Sequence, residues 1–373
     1  MADKHPSRNC HVPTGLHWQA RFFAASASFW KKLAGFESTV LREDIAAVPI
    51  EQPIYIAGVP RAGSTLLTEL LAEHPAVTSH RYSDFPNIFT PYWRNWLAER
   101  TRRHAGQPVE RAHRDRIRVT RESPEAVEEV IWMQFFDALH DVDASQVLGK
   151  TTTNPAFELF YRDHIRKLLR VRGASRYLAK GNYNATRLAY LHKLFPDARF
   201  IVPVRDPVGQ VASLVKQDRL FRQASAEDPR VPRQLAMSGH CEFGPDKRAV
   251  HAGDDETTRR IIDEWASGRD VAGWARYWSS VYARVLDTLE HEDSLRRAVR
   301  LVHYKTLCHE PEATIRVLLS HCRLETGAFE DTLRRYATHI SEPDYYSPEF
   351  SGDELEQITT ICRPTASRLG YDL

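Results

Sequence analysis

The 373-residue chain has only three methionines and five cysteines, and no two cysteines are spaced C-x-x-C. An odd set (Cys10, Cys241, Cys308, Cys322 and Cys362) without that spacing fits neither a disulfide framework nor a zinc ribbon, and suits a reducing compartment. An excess of one charge is also lacking, since 51 Lys and Arg face 49 Asp and Glu, for a net charge of +2. That balance argues against nucleic-acid binding through bulk charge, so any anion site must be local. No apolar run approaches the roughly 20 residues a bilayer-spanning helix needs. The segment FFAASASFW at 22–30 is too short, and the polar start MADKHPSRNCHVPTG is no basic signal-peptide start. The expectation is a cytoplasmic protein without integral membrane association. Histidines and cysteines in HCEFGPDKRAVH and SHC match no common ligand spacing, so no metal is assigned.

A further absence is more informative. Residues 53–75 read PIYIAGVPRAGSTLLTELLAEHP. Ile54 to Ala57 form a short apolar strand pattern, and Leu66, Leu67, Leu70 and Leu71 recur at helical spacing. The glycines between them lie where exposed N–H groups and the positive helix end favour an anion. From Gly58 the register G-V-P-R-A-G-S-T fits G-x-x-x-x-G-K-[ST], except that Ser64 replaces the lysine and the cation has moved to Arg61. A Walker lysine serves the β- and γ-phosphates of a triphosphate, and the next hydroxyl holds Mg²⁺. What remains suits a smaller anion: Arg61 can fork onto it while Ser64 and Thr65 donate hydroxyl bonds. An ordinary glycine turn with a surface arginine is the plainer alternative.

A second receiver stands in FIVPVRDPVGQVAS. Arg205 ends a predicted strand at 199–204, Asp206 sits at an N-cap and Pro207 at the first helical position, with Ser213 two turns on. Strand, helix, strand, helix over 175–217 is the rhythm of a parallel sheet, whose ligands bind at the strand carboxyl ends. Arg205 would then share a rim with the Arg61 loop, and two receivers suit a ligand with two separate phosphate groups. A surface pair of Arg205 with Asp206 is the competing reading.

Together VPRAGSTLL, LFPDARFIVPVRDPVGQVAS and LVHYKTLCHEPEATI, in that order over about 53–321, resemble the three-part signature of sulfotransferases that use 3′-phosphoadenosine 5′-phosphosulfate (PAPS). The bacterial and tyrosylprotein branches are the nearest in pattern. The resemblance implies a P-loop-like, three-layer α/β fold with a central, mostly parallel sheet flanked by helices. It implies that Arg61, Ala62, Gly63, Ser64 and Thr65 hold the 5′-phosphosulfate, that Arg205 and Ser213 hold the 3′-phosphate, and that Tyr304 packs near the adenine, although Lys305 stands in place of the family's glutamate and a core tyrosine closing a strand is an equal reading. It also accounts for the missing lysine, because PAPS has no γ-phosphate and needs no metal. Lys180, in YLAKGNYN, matches the strand-end lysine that stabilises the leaving oxygen, although Gly181-Asn182 follows in place of Ser-Pro or Asp-Pro. The implied reaction moves a sulfuryl group to a hydroxyl or amine of a small molecule, glycan or lipid, releasing PAP.

The pattern breaks at the base. Tyr82, in SHRYSDFPNIF, falls where related enzymes carry a glutamate, which leaves Asp84, the only acid there, ahead of His80. An Asx turn is an equal reading of Asp84. The rivals are a P-loop nucleotide kinase-like enzyme and a non-catalytic relative that binds PAP or another nucleotide. No motif specifies the acceptor or the oligomeric state.

Residues 1–50 read as a helical lead-in packed on the core through Trp18, Phe22, Phe23 and Trp30, and 51–373 as one domain with variable loops near 82–121 and 214–260. Ser123-Pro124-Glu125 should open a helix running through EAVEEVIWMQFFDALH, and 222–256 reads as a loop or flap. Trp265, Trp274, Tyr277 and Trp278 are expected in the core rather than in an acceptor pocket.

Overall fold

Apolar side chains leave the first strand, Ile54–Ala57 (β1), in two directions, because successive strand residues face opposite sides. Tyr55 and Ala57 enter one core, and Ile54 and Ile56 enter another. A strand buried on both faces must lie between two helical layers. The computed structural model describes residues 12–100, 108–110, 118–342 and 349–373. Cys10 and most of the basic stretch between 101 and 117 lie outside them.

Three helices, Thr14–Ala25 (α1), Ala27–Val40 (α2) and Arg42–Ala46 (α3), precede β1. Next come Ser64–Ala72 (α4), Val77–Ser79 (β2) and Pro91–Arg100 (α5), then a small antiparallel pair, Val109–Glu110 (β3) and Arg118–Val119 (β4). Glu129–Trp132 (α6), Pro155–Arg172 (α7), Arg176–Gly181 (β5), Leu188–Leu194 (α8) and Arg199–Val204 (β6) follow. The chain continues through Pro207–Glu227 (α9), Val231–Met237 (α10), Asp255–Ala266 (α11), Asp270–His291 (α12), Asp293–Ala298 (α13) and Val299–His303 (β7). It closes with Tyr304–His309 (α14), Pro311–His321 (α15), Glu330–His339 (α16) and Gly352–Arg368 (α17).

The main sheet has the order β2-β5-β1-β6-β7, and its pairs are parallel. Side chains from α7, α8, α9, α12 and α17, among them Phe157, Leu191, Leu214, Trp278 and Ala366, cover the face that holds Tyr55. Leu67, Leu70 and Leu71 of α4, with Leu318, Leu319 and Leu333, cover the face that holds Ile56. β1 is central, so the loop after it is flanked by the carboxyl ends of β5 and β6. The fold is the expected α/β architecture, with a central parallel sheet flanked by helices.

Three expectations require correction. The helix expected from Ser123 is a single turn, α6, because the preceding segment pairs with another one: Tyr82 N–H donates to Ser123 O, Ser83 N–H to Arg121 O, and Glu125 N–H to His80 O. The stretch 222–256 is not one loop, since α9 runs to Glu227 and α10 adds a second helix with Pro232 in its first turn, where a missing N–H is harmless. The N-terminal aromatics do not all pack inward, for Trp18 and Phe22 are each 60% exposed. Trp30 does pack on the core. The lead-in is anchored instead by an enclosed ion pair, Glu37 Oε2 to Lys167 Nζ at 2.9 Å, with Nζ also donating to Ala34 O at 3.2 Å. Among the described residues no helix is long and apolar enough to cross a membrane.

Candidate active site

The loop between β1 and α4 adopts conformations only some residues tolerate. Gly63, the N-cap of α4, has φ +92°, and a Cβ there would lie 2.9 Å from the Tyr304 ring. Glycine is required on both counts. Arg61 has φ +72° without being glycine, a left-handed conformation that costs about 1–2 kcal/mol and needs fixed surroundings. Its Nε donates to Ser213 Oγ at 3.1 Å. Gln210 Nε2 holds the start of the loop, donating to Pro60 O at 2.9 Å and Val59 O at 3.2 Å. Gln210 is held in turn by Trp278 Nε1, which donates to its Oε1 at 2.9 Å. Trp265, Trp274, Tyr277 and Trp278 are all buried, as the sequence suggested, and Trp278 acts on the loop through Gln210. Ala62 and Ser64 are buried beneath the loop, while Thr65 is half-buried at its edge.

Arg205 sits just beyond β6 on the same rim. Asp206 caps α9 by accepting from Gly209 N–H at 2.8 Å. The Arg205 guanidinium carbon lies 5.1 Å from the centre of the Tyr304 ring, within cation–π range. Tyr304 therefore touches Gly63 of the first loop and Arg205 of the second. Arg61, Gly63, Arg205, Ser213 and Tyr304 form one contiguous cluster, assembled from β1–α4, β6–α9 and β7–α14.

On the other side of β1, Lys180 pairs in register with Ile56 at the end of β5. Its Nζ donates to Thr65 Oγ1 at 2.9 Å, so a cation from outside the loop reaches the loop's own hydroxyl.

Sequence reasoning passed over one carboxylate on which the Lys180 charge acts, that of Glu125. Pairing of 121–125 with 80–83 sets Glu125 beside Tyr82, whose hydroxyl donates to its carboxylate. Burial would raise the Glu125 pKa, but the Lys180 and His240 charges, the Tyr82 hydroxyl and the Ala126 N–H outweigh it and hold the group below its ordinary value. In the sequence Glu125 reads as a first-turn helix acid. The signal available was its place after Ser-Pro, an extended dipeptide able to pair with the 80–83 segment. A small recess next to Lys180 is lined by Ala126, Asn182, Asn184, His240 and Glu242, with Asn182 Nδ2 donating to Glu242 Oε1 at 2.6 Å.

Asp84 and His80 are placed differently from the expectation of a free base. Asp84 is 3% exposed and enclosed by cations. Its Oδ1 accepts from Arg94 Nη1 at 2.6 Å and Arg172 Nη2 at 2.9 Å, and its Oδ2 from Arg81 N–H at 2.9 Å and Arg172 Nη2 at 2.8 Å. His80 Nδ1 lies 3.1 Å from Asp84 Oδ2, and its Nε2 lies 3.0 Å from His164 Nε2. Burial would raise Asp84, yet Arg172, His80 and Arg94 prevail and hold it well below the usual carboxylate range. A carboxylate so engaged joins β2 to α5 and α7, and gains its stability by staying ionised.

Residues 53–238 match the sequence model of the sulfotransferase family. No curated protein matches the chain by sequence. Among solved structures the chain is similar to sulfotransferase STF9 from Mycobacterium avium, at 15% identity over 90% of this chain and 82% of that one, with a TM-score of 0.53. It also matches sulfotransferase STF1 from Mycobacterium tuberculosis H37Rv, at 14% identity over 89% and 80% of the two chains, with a TM-score of 0.46. For a sulfotransferase from Alicyclobacillus acidocaldarius the identity is 15%, the coverage 87% and 98%, and the TM-score 0.42. At such identities the likeness concerns the fold, and the first of the three carries it.

Proposed function

We propose that this chain, a member of the sulfotransferase family by its match over residues 53–238, moves a sulfuryl group from PAPS to an acceptor hydroxyl or amine and releases PAP. The observation that carries this reading is the 3.1 Å hydrogen bond from Arg61 to Ser213, which makes two anion receivers one site. A donor with a 5′-phosphosulfate and a separate 3′-phosphate fits two linked receivers better than a single triphosphate tail does. Arg61, the loop hydroxyls of Ser64 and Thr65, and the N–H groups at the start of α4 would hold the first group. Arg205 and Ser213 would hold the second, with Tyr304 between the two as a wall for the nucleoside.

Transfer then needs positioning and electrostatics more than covalent help. The acceptor oxygen or nitrogen attacks sulfur, the bond from sulfur to the bridging oxygen breaks, and PAP leaves with that electron pair. Lys180, already on Thr65, meets the charge that grows on the bridging oxygen. We assign the acceptor proton to Glu125 rather than Asp84 or His80, because the Lys180 charge acts on the Glu125 carboxylate while the other two are engaged with Arg94, Arg172 and His164. An anionic donor on Lys180 cancels part of the field that depresses Glu125, so the carboxylate becomes a better base in the complex.

One observation favours the kinase reading. A lysine does reach the loop from outside it, as a substitute for the Walker lysine would. Asp206, the carboxylate just after β6, is engaged as a helix cap instead, its Oδ1 accepting the Gly209 N–H at 2.8 Å.

The test is PAP release from PAPS over a panel of phenol, sugar, amine and lipid acceptors, with Lys180→Ala alongside. Acceptor-dependent PAP release that falls about 10²–10³-fold in the variant supports the reading. Mg²⁺-dependent phosphoryl transfer from ATP, with PAPS inert, overturns it.

A further inference from the structure

The outward side of the N-terminal helices carries large apolar groups that are exposed among the described residues. Trp18 and Phe22 on α1 and Phe29, Phe36 and Val40 on α2 are 57–60% exposed. Their spacings of four and seven residues put them on one face of a helix, and half-buried Leu33 lies on the same face. Ring contacts carry the stripe across the break at Ser26: Phe22 lies 6.2 Å from Trp30, and Phe29 lies 5.4 Å from it. The stripe then passes to α5, where Phe36 is 6.0 Å from Trp93, and Trp96 is 44% exposed.

The opposite side of the same helices, with Ala20, Ala27, Ala34 and Glu37, is buried on the body of the protein. Core packing therefore does not explain the outward stripe. Isolated surface apolar residues need no explanation, but a continuous aromatic stripe does.

Charge selects the partner. Arg21 and Lys32 flank the stripe, with the Arg21 guanidinium 4.7 Å from the Trp18 ring centre, and Arg100 lies 3.5 Å from the Trp96 ring centre. The one acid of α1 and α2, Glu37, is fully buried against Lys167. The surface these two helices offer is aromatic and cationic, with no exposed carboxylate. Aromatic side chains level with lipid headgroups, beside Lys and Arg, are what an interfacial amphipathic helix presents to an anionic membrane. A second copy of the chain would set cations against cations on this face.

We propose that α1 and α2 dock this protein on the surface of anionic phospholipid membranes, with Trp18, Phe22, Phe29 and Phe36 entering the headgroup region and Arg21 and Lys32 meeting lipid phosphates. The proposal does not depend on the donor assignment, and α1 and α2 contribute no residue to the cluster around Arg61.

The experiment is co-sedimentation of the full chain with vesicles of phosphatidylcholine alone and of phosphatidylcholine with an equal part of phosphatidylglycerol. Binding to the mixed vesicles at least tenfold tighter than to phosphatidylcholine, and weakened by 0.5 M salt (a Debye length of about 4 Å), is expected. Phe22→Ser with Phe36→Ser should lose about tenfold or more, and Arg21→Glu with Lys32→Glu should remove the preference for phosphatidylglycerol. Far-UV circular dichroism and thermal melts of both variants should match the parent, which verifies folding. Absence of binding to the mixed vesicles, or equal binding by the folded variants, overturns the proposal. A dimer in sedimentation velocity that dissociates in the phenylalanine variant also overturns it, in favour of a self-interface.

Discussion

Arg61 Nε donates to Ser213 Oγ across 3.1 Å, although 152 positions separate the two residues in sequence. One comes from the loop after the central strand and the other from the helix after its neighbour, so parallel pairing of β1 with β6 brings them together. Each holds the other in the place where an anion would find both.

Removing either arginine should therefore weaken PAP without unfolding the chain. A charged hydrogen bond contributes about 1.5–3 kcal/mol, so Arg61→Ala and Arg205→Ala should each lower PAP affinity roughly 10- to 150-fold. Ser213→Ala should lose only a few-fold, since a neutral hydroxyl is at stake. Calorimetry on the three variants checks the order, and unchanged affinity in both arginine variants would remove the two-receiver account.

Glu125 and Asp84 should separate cleanly. Glu125→Gln is expected to lower kcat about 10²–10⁴-fold with PAP affinity nearly intact, the usual range for a lost general base. Asp84→Asn should chiefly lower stability, by about 3–5 kcal/mol, because Arg94 and Arg172 are left buried without their partner. Thermal melts and turnover on the same two proteins distinguish the roles, and full turnover by the Glu125 variant would end its assignment as base.

The pH dependence carries the same distinction. Glu125 is held below its ordinary value in the free enzyme, so kcat/KM should lose this group's contribution only in acid, below about pH 4.5. An acid limb near pH 6.5 would point to a histidine instead. Asp84 is depressed in the folded state, so its contribution to stability is present above the unfolded carboxyl value near pH 4 and is lost as pH falls below it. Unfolding followed from pH 7 to pH 2 should show that loss, and Asp84→Asn should flatten it.

Gly63→Ala combines a left-handed φ of +92° with a Cβ 2.9 Å from the Tyr304 ring. PAP affinity should drop about tenfold or more, for a left-handed alanine alone is disfavoured by about 1–2 kcal/mol. Adding Tyr304→Ala relieves the clash but not the strain, so affinity measured in the double variant should remain below that of Tyr304→Ala alone.

Much of this architecture could be read from the chain. The strand at 199–204 and the helix from Pro207 were legible because an apolar run, an N-cap aspartate and a first-turn proline all point one way. The Arg61 loop was legible too, with Gly58 and Gly63 at two of the three positions that take positive φ. The expected helix after Ser123 failed because hydrogen bonds to Tyr82, Ser83 and His80 hold 121–125 extended, and only tertiary pairing reveals that. Glu125 was hidden by the same event, since its neighbours in space are Tyr82, Lys180 and His240. Asp84 looked available in sequence because Arg172, which surrounds it, is 88 positions away. Trp18 and Phe22 of α1 looked like core because helical spacing alone cannot tell a buried stripe from an exposed one.

The most direct test of the central claim is calorimetric titration of the protein with PAP in EDTA, beside ATP with Mg²⁺. The two-receiver account predicts PAP binding without metal, lost in Arg61→Ala and Arg205→Ala, and at best weak binding of Mg-ATP. Mg-ATP binding with no heat from PAP would contradict it and make the Arg61 loop an altered triphosphate cradle.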